Sequence, residues 1–454
     1  MIPFDITLLL DSPNILRGLI SGDMVRYGSV IRWAAGTPNA GQIIKHLSET
    51  PGIVNELSKL PFSPVSGTAN VIGHSMTYHK LLGIDSSLGT INNTLTGMTG
   101  TLANVLGVTQ IAAGASVLNL GVSVAGFAYM GYKLHQIQKS LGYLQQAMDV
   151  GFERVEVRLD HLSRQTMAGF NIVFQSLDQV HQKLDTVSGQ LSYLYLLVQD
   201  SRKKQESLAK AISNVQKALL IKEIAELQAN LKYLSPSSWR EVALSASKAR
   251  LFLSSQALQS SPELDAELML NTDIAIQGWA AATATEANLL LQVGQHQEAR
   301  QLLAEETPKL SQIAQQWCRA LVHDPQNQAI DTAYLFAAQP FENTIMPERV
   351  NRILEISEQD RCLRPDQIRS KQNELAVEFE MSYAPERYSS DWMNQKIATS
   401  EYLDSLSELT ARLDSLQDFA ELCEVTGVQS SHELLPSENT QAGLYLLPSV
   451  NELQ

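Results

Sequence analysis

Apolar residues from Leu134 onward step by threes and fours: Leu134, Ile137, Leu141, Leu144, Met148, Phe152, Val155, Leu159 and Leu162. The run continues through Leu177, Leu184 and Leu191 to Val198. That alternation is the seam of a coiled coil. Two four-residue steps meet at Met148, a stutter that unwinds the supercoil locally. Charged residues such as Glu153, Arg154, Arg158, Lys183 and Asp185 fall outside the seam, and no proline interrupts it. After the polar corner Gln199 to Ser207, a second seam runs through Leu208, Ile212, Val215, Leu219, Ile224, Leu227, Leu231 and Leu234. The pattern predicts an antiparallel helical hairpin over 133–234.

The segment before this stalk has a different pattern. Residues 86–132 hold no Asp, Glu, Lys, Arg or His. The most apolar part, Ile111 to Tyr132, is 22 residues long, and a bilayer-spanning helix needs about 20. Gly100, Gly107, Gly114 and Gly121 recur every seven residues. On a helix they form a stripe on which another backbone can approach closely. Val117, Leu118, Leu120, Val122 and Val124 supply apolar bulk beside Ile111. Phe127, Tyr129 and Tyr132, followed by Lys133 and Lys139, resemble an interfacial belt with a basic flank. The twelve residues proposed to insert are therefore Gly107, Ile111, Gly114, Val117, Leu118, Leu120, Gly121, Val122, Val124, Phe127, Tyr129 and Tyr132. Thr109, Gln110, Ser116, Asn119 and Ser123 moderate the hydrophobicity, so a helix buried in a bundle core is the competing reading.

Residues 1–85 predict a small mixed α/β module. Ser12-Pro13-Asn14 opens a helix that Gly22 stops, Met24 to Ala35 reads as a strand, and 36–41 is a turn. Gln42 to Glu49 fits either a strand or a short helix. Residues 235–427 predict further helices, with breaks at Val293-Gly294 and at prolines including Pro308 and Pro347, both read as first-turn prolines. Ala287 to Arg300 looks like the turn of a tetratricopeptide repeat, without a second copy at that period. Asp391 to Glu424 predicts a long amphipathic helix capped by Gly427. Residues 428–454 read as an irregular tail in which Leu444 to Leu447 can dock as one strand. The expected fold class is thus mainly α.

The charge is uneven. The chain sums to −14, and residues 235–454, with 15 basic and 32 acidic groups, alone carry −17. That balance argues against nucleic acid, which needs clustered Lys and Arg. Cys318, Cys362 and Cys423 form neither a disulfide framework nor a metal-ligand spacing. The N-terminal residues lack the basic start and cleavage site of a classical signal peptide, so a cytoplasmic soluble form that becomes membrane-associated on activation is expected. The sequence has no phosphate loop and no dinucleotide fingerprint. Gly73-His74-Ser75-Met76-Thr77 lacks the closing glycine of a nucleophile elbow. His74 and His79 are wrongly spaced for zinc. No catalytic residue, metal or cofactor is expected.

An uncharged apolar element beside a very long coiled coil resembles the helical pore-forming cytolysins of the cytolysin A type, over residues 86–234. The resemblance implies an apolar tongue sheathed in a soluble form, then released to insert and assemble an oligomeric ring. Its implied partners are a lipid membrane and other copies or chains joined through the coiled coil. The mixed N-terminal module and the acidic helical domain are additions to that layout. They suit a bacterial toxin or self-killing defence protein held inactive until triggered, with the helical domain receiving a protein partner. The alternatives are a non-enzymatic coiled-coil scaffold and a constitutive single-span membrane protein.

Overall fold

The computed structural model describes residues 7–9, 12–49, 222, 226, 239–260, 266–322, 333–337, 341, 345, 347–357, 364, 366, 367, 370, 371, 373, 374, 390–436 and 444–453. The expected apolar segment and the first helix of the stalk lie outside the described residues. The described part is mainly helical, with one small antiparallel sheet.

The chain opens with β1 (Thr7–Leu8) and α1 (Pro13–Ser21). Pro13 stands in the first turn of α1, where its missing N–H costs nothing. Gly22, at φ 78°, ends the helix in the left-handed conformation that a side chain disfavours. The stretch expected as a single strand is a hairpin, β2 (Met24–Tyr27) and β3 (Val30–Trp33). Gly28, at φ 54°, permits the two-residue reversal between them. A Cβ at Gly28 would also stand 2.3 Å from the Ala411 carbonyl oxygen. The glycine thus serves both the turn and the close approach of a helix backbone.

β4 (Ile43–Glu49) resolves the strand-or-helix alternative in favour of strand. The region 428–454 is more regular than expected: it carries a 3-10 turn (Ser431–Glu433), β5 (Leu444–Leu447) and a terminal helical turn. β5 lies inside the sheet, whose order is β1-β5-β4-β3-β2. Leu47 faces Leu446 in the register of β4 with β5, and Thr7 faces the same Leu446 from β1. All four residues of β5 are buried. The two ends of the chain therefore build one sheet.

Four long helices form the body: α2 (Trp239–Gln259), α3 (Ala266–Gln292), α4 (His296–Val322) and, after α5 (Pro347–Ser357), α6 (Ser390–Thr426). α3 packs between α2 and α4, and α4 packs on α6. Ala275, Ala280, Ala282, Ala284 and Ala287 are buried along α3, where small side chains bring neighbouring helices close. Its buried Thr283, Thr285 and Asn288 donate to carbonyls four residues back, at 2.7–2.8 Å, which satisfies polar groups that burial would otherwise penalise.

The turn at Gly294 lies where the sequence placed it. Its flanking helices, however, are 27 residues each, too long for a repeat of about 34 residues that holds two helices. Pro347 starts α5 as expected, whereas Pro308 lies inside α4 and does not break it. An interior proline costs about 3 kcal/mol. Neighbouring Glu306, 4 % exposed, is held by the Trp279 indole N–H at 2.7 Å and by Arg250 at 3.0 Å. Packing of Leu303, Leu310 and Ile313 on both sides of the proline offsets the missing bond.

Candidate functional site: a buried ion network on the last long helix

The sequence predicts α6 as a long amphipathic helix. Its apolar side (Leu403, Leu406, Leu409, Leu413, Leu416) is buried as expected, but the polar side is buried too. Asp404, Glu408 and Arg412 follow at four-residue steps, each 2 % exposed or less. These positions lie above one another on a helix. They face α5 and the N-terminal hairpin.

The β2 residue Arg26 meets Glu408 in a two-pronged pair, Nη1 to Oε1 and Nη2 to Oε2, both 2.8 Å. Arg412 donates Nε to Glu408 Oε1 at 2.7 Å from one turn further along α6. Burial pushes the Glu408 carboxyl up, but Arg26 and then Arg412 outweigh it and hold the group at about 2. One turn earlier, Asp404 accepts from Arg349 at 3.3 Å and from Arg352 at 2.6 and 3.1 Å, both on α5. Ser407 donates to the Arg352 carbonyl. Arg32, on β3, lies 3.7 Å from the Tyr27 ring centroid and 2.6 Å from Glu355 of α5. Ser415 completes the seam by accepting the Ser29 N–H at 3.0 Å and donating to the Tyr27 carbonyl at 3.1 Å.

Two titratable groups border the network. His46 of β4 is buried edge-on to Phe419, with ring centroids 6.4 Å apart, and burial lowers its pKa to about 3. The half-buried carboxyl of Asp418 is pushed up to about 7 by burial, then by Asp414 and Glu421, against the opposing pull of Arg32 and Arg300. Charged partners from three elements thus converge on one helix. The arrangement binds the N-terminal hairpin and α5 to α6. It places no nucleophile beside a base, so its chemistry is that of a clamp.

The free thiols Cys318 and Cys423 are buried, and burial raises both to about 12, which leaves them unreactive. Among the described residues, no group of His, Cys, Asp and Glu could hold a metal ion, and no helix is long and apolar enough to cross a membrane.

The sequence-derived candidates, Gly107 to Tyr132 for insertion and Leu141 to Leu191 for the seam, all lie outside the described residues. So do His74, His79 and Cys362. The Asp404, Glu408 and Arg412 series was not singled out in the sequence. Its signal was a four-residue repeat of charged residues, two acidic and then one basic, on one side of a helix whose other side is leucine. No family model matches the chain, and no curated protein or solved structure matches it.

Proposed function

We propose that this chain is a conditionally membrane-inserting, oligomerising effector of the pore-forming or membrane-perturbing kind, soluble until triggered. The observation that carries the reading is the absence of Asp, Glu, Lys, Arg and His over residues 86–132, with glycines at seven-residue spacing. In lipid, such a stripe packs against copies of itself through backbone contact rather than hydrophobic force. The coiled-coil stalk of 133–234 links that element to the helical body and aligns protomers. The body supports the reading in one respect. The segment 50–238 leaves from β4, which pairs with β5, and returns into α2, whose buried face belongs to the same apolar core as Leu447 of β5. That core is the base from which a tongue can be released, and the acidic helical domain is where a protein partner would bias release.

The test is release of dye from anionic liposomes by the purified protein, with acidification and limited proteolysis as triggers. Leakage is expected from the natural sequence and is expected to fall about a hundredfold for Gly114→Asp. A carboxylate at the centre of a bilayer helix costs roughly 2.5–3.5 kcal/mol. Urea unfolding of the helical body is expected to stay unchanged in that variant. Vesicles that stay intact under every trigger contradict the proposal. A Gly114→Asp protein that unfolds would favour the scaffold alternative, in which the same segment is permanent core.

A further inference from the structure

We propose that the gap between β1 and β4 is an acceptor site for an extended apolar peptide, and that the chain's own Leu444–Leu447 fills it as an exchangeable strand. The proposal goes beyond the membrane reading and does not depend on it.

Four of the five strands, β1, β2, β3 and β4, come from residues 7–49. The fifth, β5, comes from Leu444–Leu447 and lies between β1 and β4. β2, β3 and β4 form a meander that its own residues close. Tyr27 faces Val30 across the first reversal, and the Leu47 N–H donates to the Ser29 carbonyl at 2.8 Å. Arg26 and Ser29 fasten that meander to Glu408 and Ser415 of α6. The frame of the site is therefore tied down by contacts that do not pass through its occupant.

The occupant is held along both edges. His46, Leu47, Ser48 and Glu49 of β4 face Leu447, Leu446, Tyr445 and Leu444, and Thr7 and Leu8 of β1 face Leu446 and Tyr445. Both ladders are antiparallel. Successive side chains of a strand point to opposite faces of the sheet. All four side chains of β5 are 9 % exposed or less, so the site encloses apolar groups on both faces. Main-chain pairing then supplies affinity and the enclosed side chains supply selection, which is how extended peptides add to sheets. Pro448 follows β5 directly and has no N–H with which to continue the ladder. The ligand that fits is an extended stretch of four apolar residues.

Vacating the site has a defined consequence. β4 becomes an edge strand, with unpaired main-chain groups along His46 to Glu49. Glu49 is the last residue of β4, and the segment 50–238 follows it. β5 is thereby a latch on the residues from which that segment departs. The natural occupant is tethered to the body at the buried Leu434 and Leu435. Short tethers supply millimolar effective concentrations, so a free peptide competes poorly until the tethered strand is disabled.

The test uses the full chain. Leu446 faces a neighbour on each side, Leu47 and Thr7, and a proline at that position cannot donate to either ladder. A labelled synthetic peptide of residues 444–453 is expected to bind the Leu446→Pro chain one to one. Binding is expected to be about a hundredfold tighter than to the natural chain, whose site is filled. The same peptide carrying Leu446→Pro is expected not to bind. Hydrogen exchange across Ile43 to Glu49 is expected to rise about tenfold in the variant chain and to return to its natural rate when the peptide is added. Exchange in α3 and α4 is expected to be unaltered. Leu444→Gly combined with Leu446→Gly keeps every N–H of the strand and serves as a second acceptor, with the same pattern expected. Equal binding to the natural and variant chains, binding of the proline peptide, or no binding to either variant would each overturn the proposal. So would unfolding of both variants that the peptide does not reverse, because β5 would then be fixed core. None of these readouts requires lipid, so they fail or succeed separately from liposome leakage.

Discussion

Replacing Glu408 by alanine is expected to cost about 3–5 kcal/mol of folding stability, measured as a lower urea midpoint. The carboxylate is buried and is the shared ion-pair partner of two guanidinium groups, Arg26 from the N-terminal hairpin and Arg412 from its own helix. Removing it leaves both cations in the interior without their counter-charge, and desolvation then dominates. A loss of that size approaches the whole stability of a marginal domain. The same reasoning predicts rescue. When Glu408, Arg26 and Arg412 are all replaced by leucine or methionine, no uncompensated charge remains, and most of the lost stability is expected to return. A Glu408→Ala protein destabilised by less than about 1 kcal/mol would mean that water reaches the network in solution.

The second large effect is a pair of opposing pH dependences hidden in the natural sequence. His46 has a folded pKa of about 3 against 6.5 in the unfolded chain. The unfolded state therefore binds the proton first. The contribution of neutral His46 is complete above pH 6.5 and is lost as pH falls towards 3. Between pH 6.5 and 4.5 that loss is about 2–3 kcal/mol. Asp418 has the reverse sign, because its folded pKa of about 7 exceeds the unfolded value of 3.8. Its protonated form favours the fold below pH 3.8, and that contribution disappears as pH rises through 7. Since Asp418 is half-buried, screening reduces its effect to about 1–2 kcal/mol. On acidification from pH 6.5 to 4.5 the two contributions oppose each other, and the natural protein changes little. His46→Leu is expected to become more stable by about 1–2 kcal/mol over that window. Asp418→Asn is expected to become less stable by about 2–3 kcal/mol, while gaining stability at pH 8. Urea titrations at the two pH values check both, and parallel profiles for the three proteins would contradict the assignment.

Legibility in the sequence followed the locality of the signal. α1 was marked by Pro13 and Gly22, α5 by Pro347, and the turn between α3 and α4 by Gly294, because each is a residue whose own backbone preference fixes the local shape. The hairpin of β2 and β3 was read as one strand because the run of β-formers masked Gly28. What requires a reversal there is the approach of Ala411 of α6, hundreds of residues away. Pro308 was read as a break because its intrinsic cost is real. What overrides it is the anchoring of Glu306 and the packing of α4 between α3 and α6.

The same distinction explains why the ion network was missed. Asp404 and Glu408 look like ordinary solvated residues on an amphipathic helix until Arg26, Arg349 and Arg352 arrive from other elements. Tertiary pairing of charges leaves almost no trace in local periodicity. The interior position of β5 in the sheet was likewise unreadable, since pairing segments hundreds of residues apart has no sequence period at all.

The membrane proposal is tested most directly by a photoactivatable probe confined to the acyl region of liposomes. With a trigger applied, crosslinked lipid is expected on peptides covering Ile111 to Tyr132, and Gly114→Asp is expected to suppress it. Labelling that never reaches that stretch, in a protein otherwise bound to the vesicles, would contradict insertion and leave a helical scaffold with a buried core.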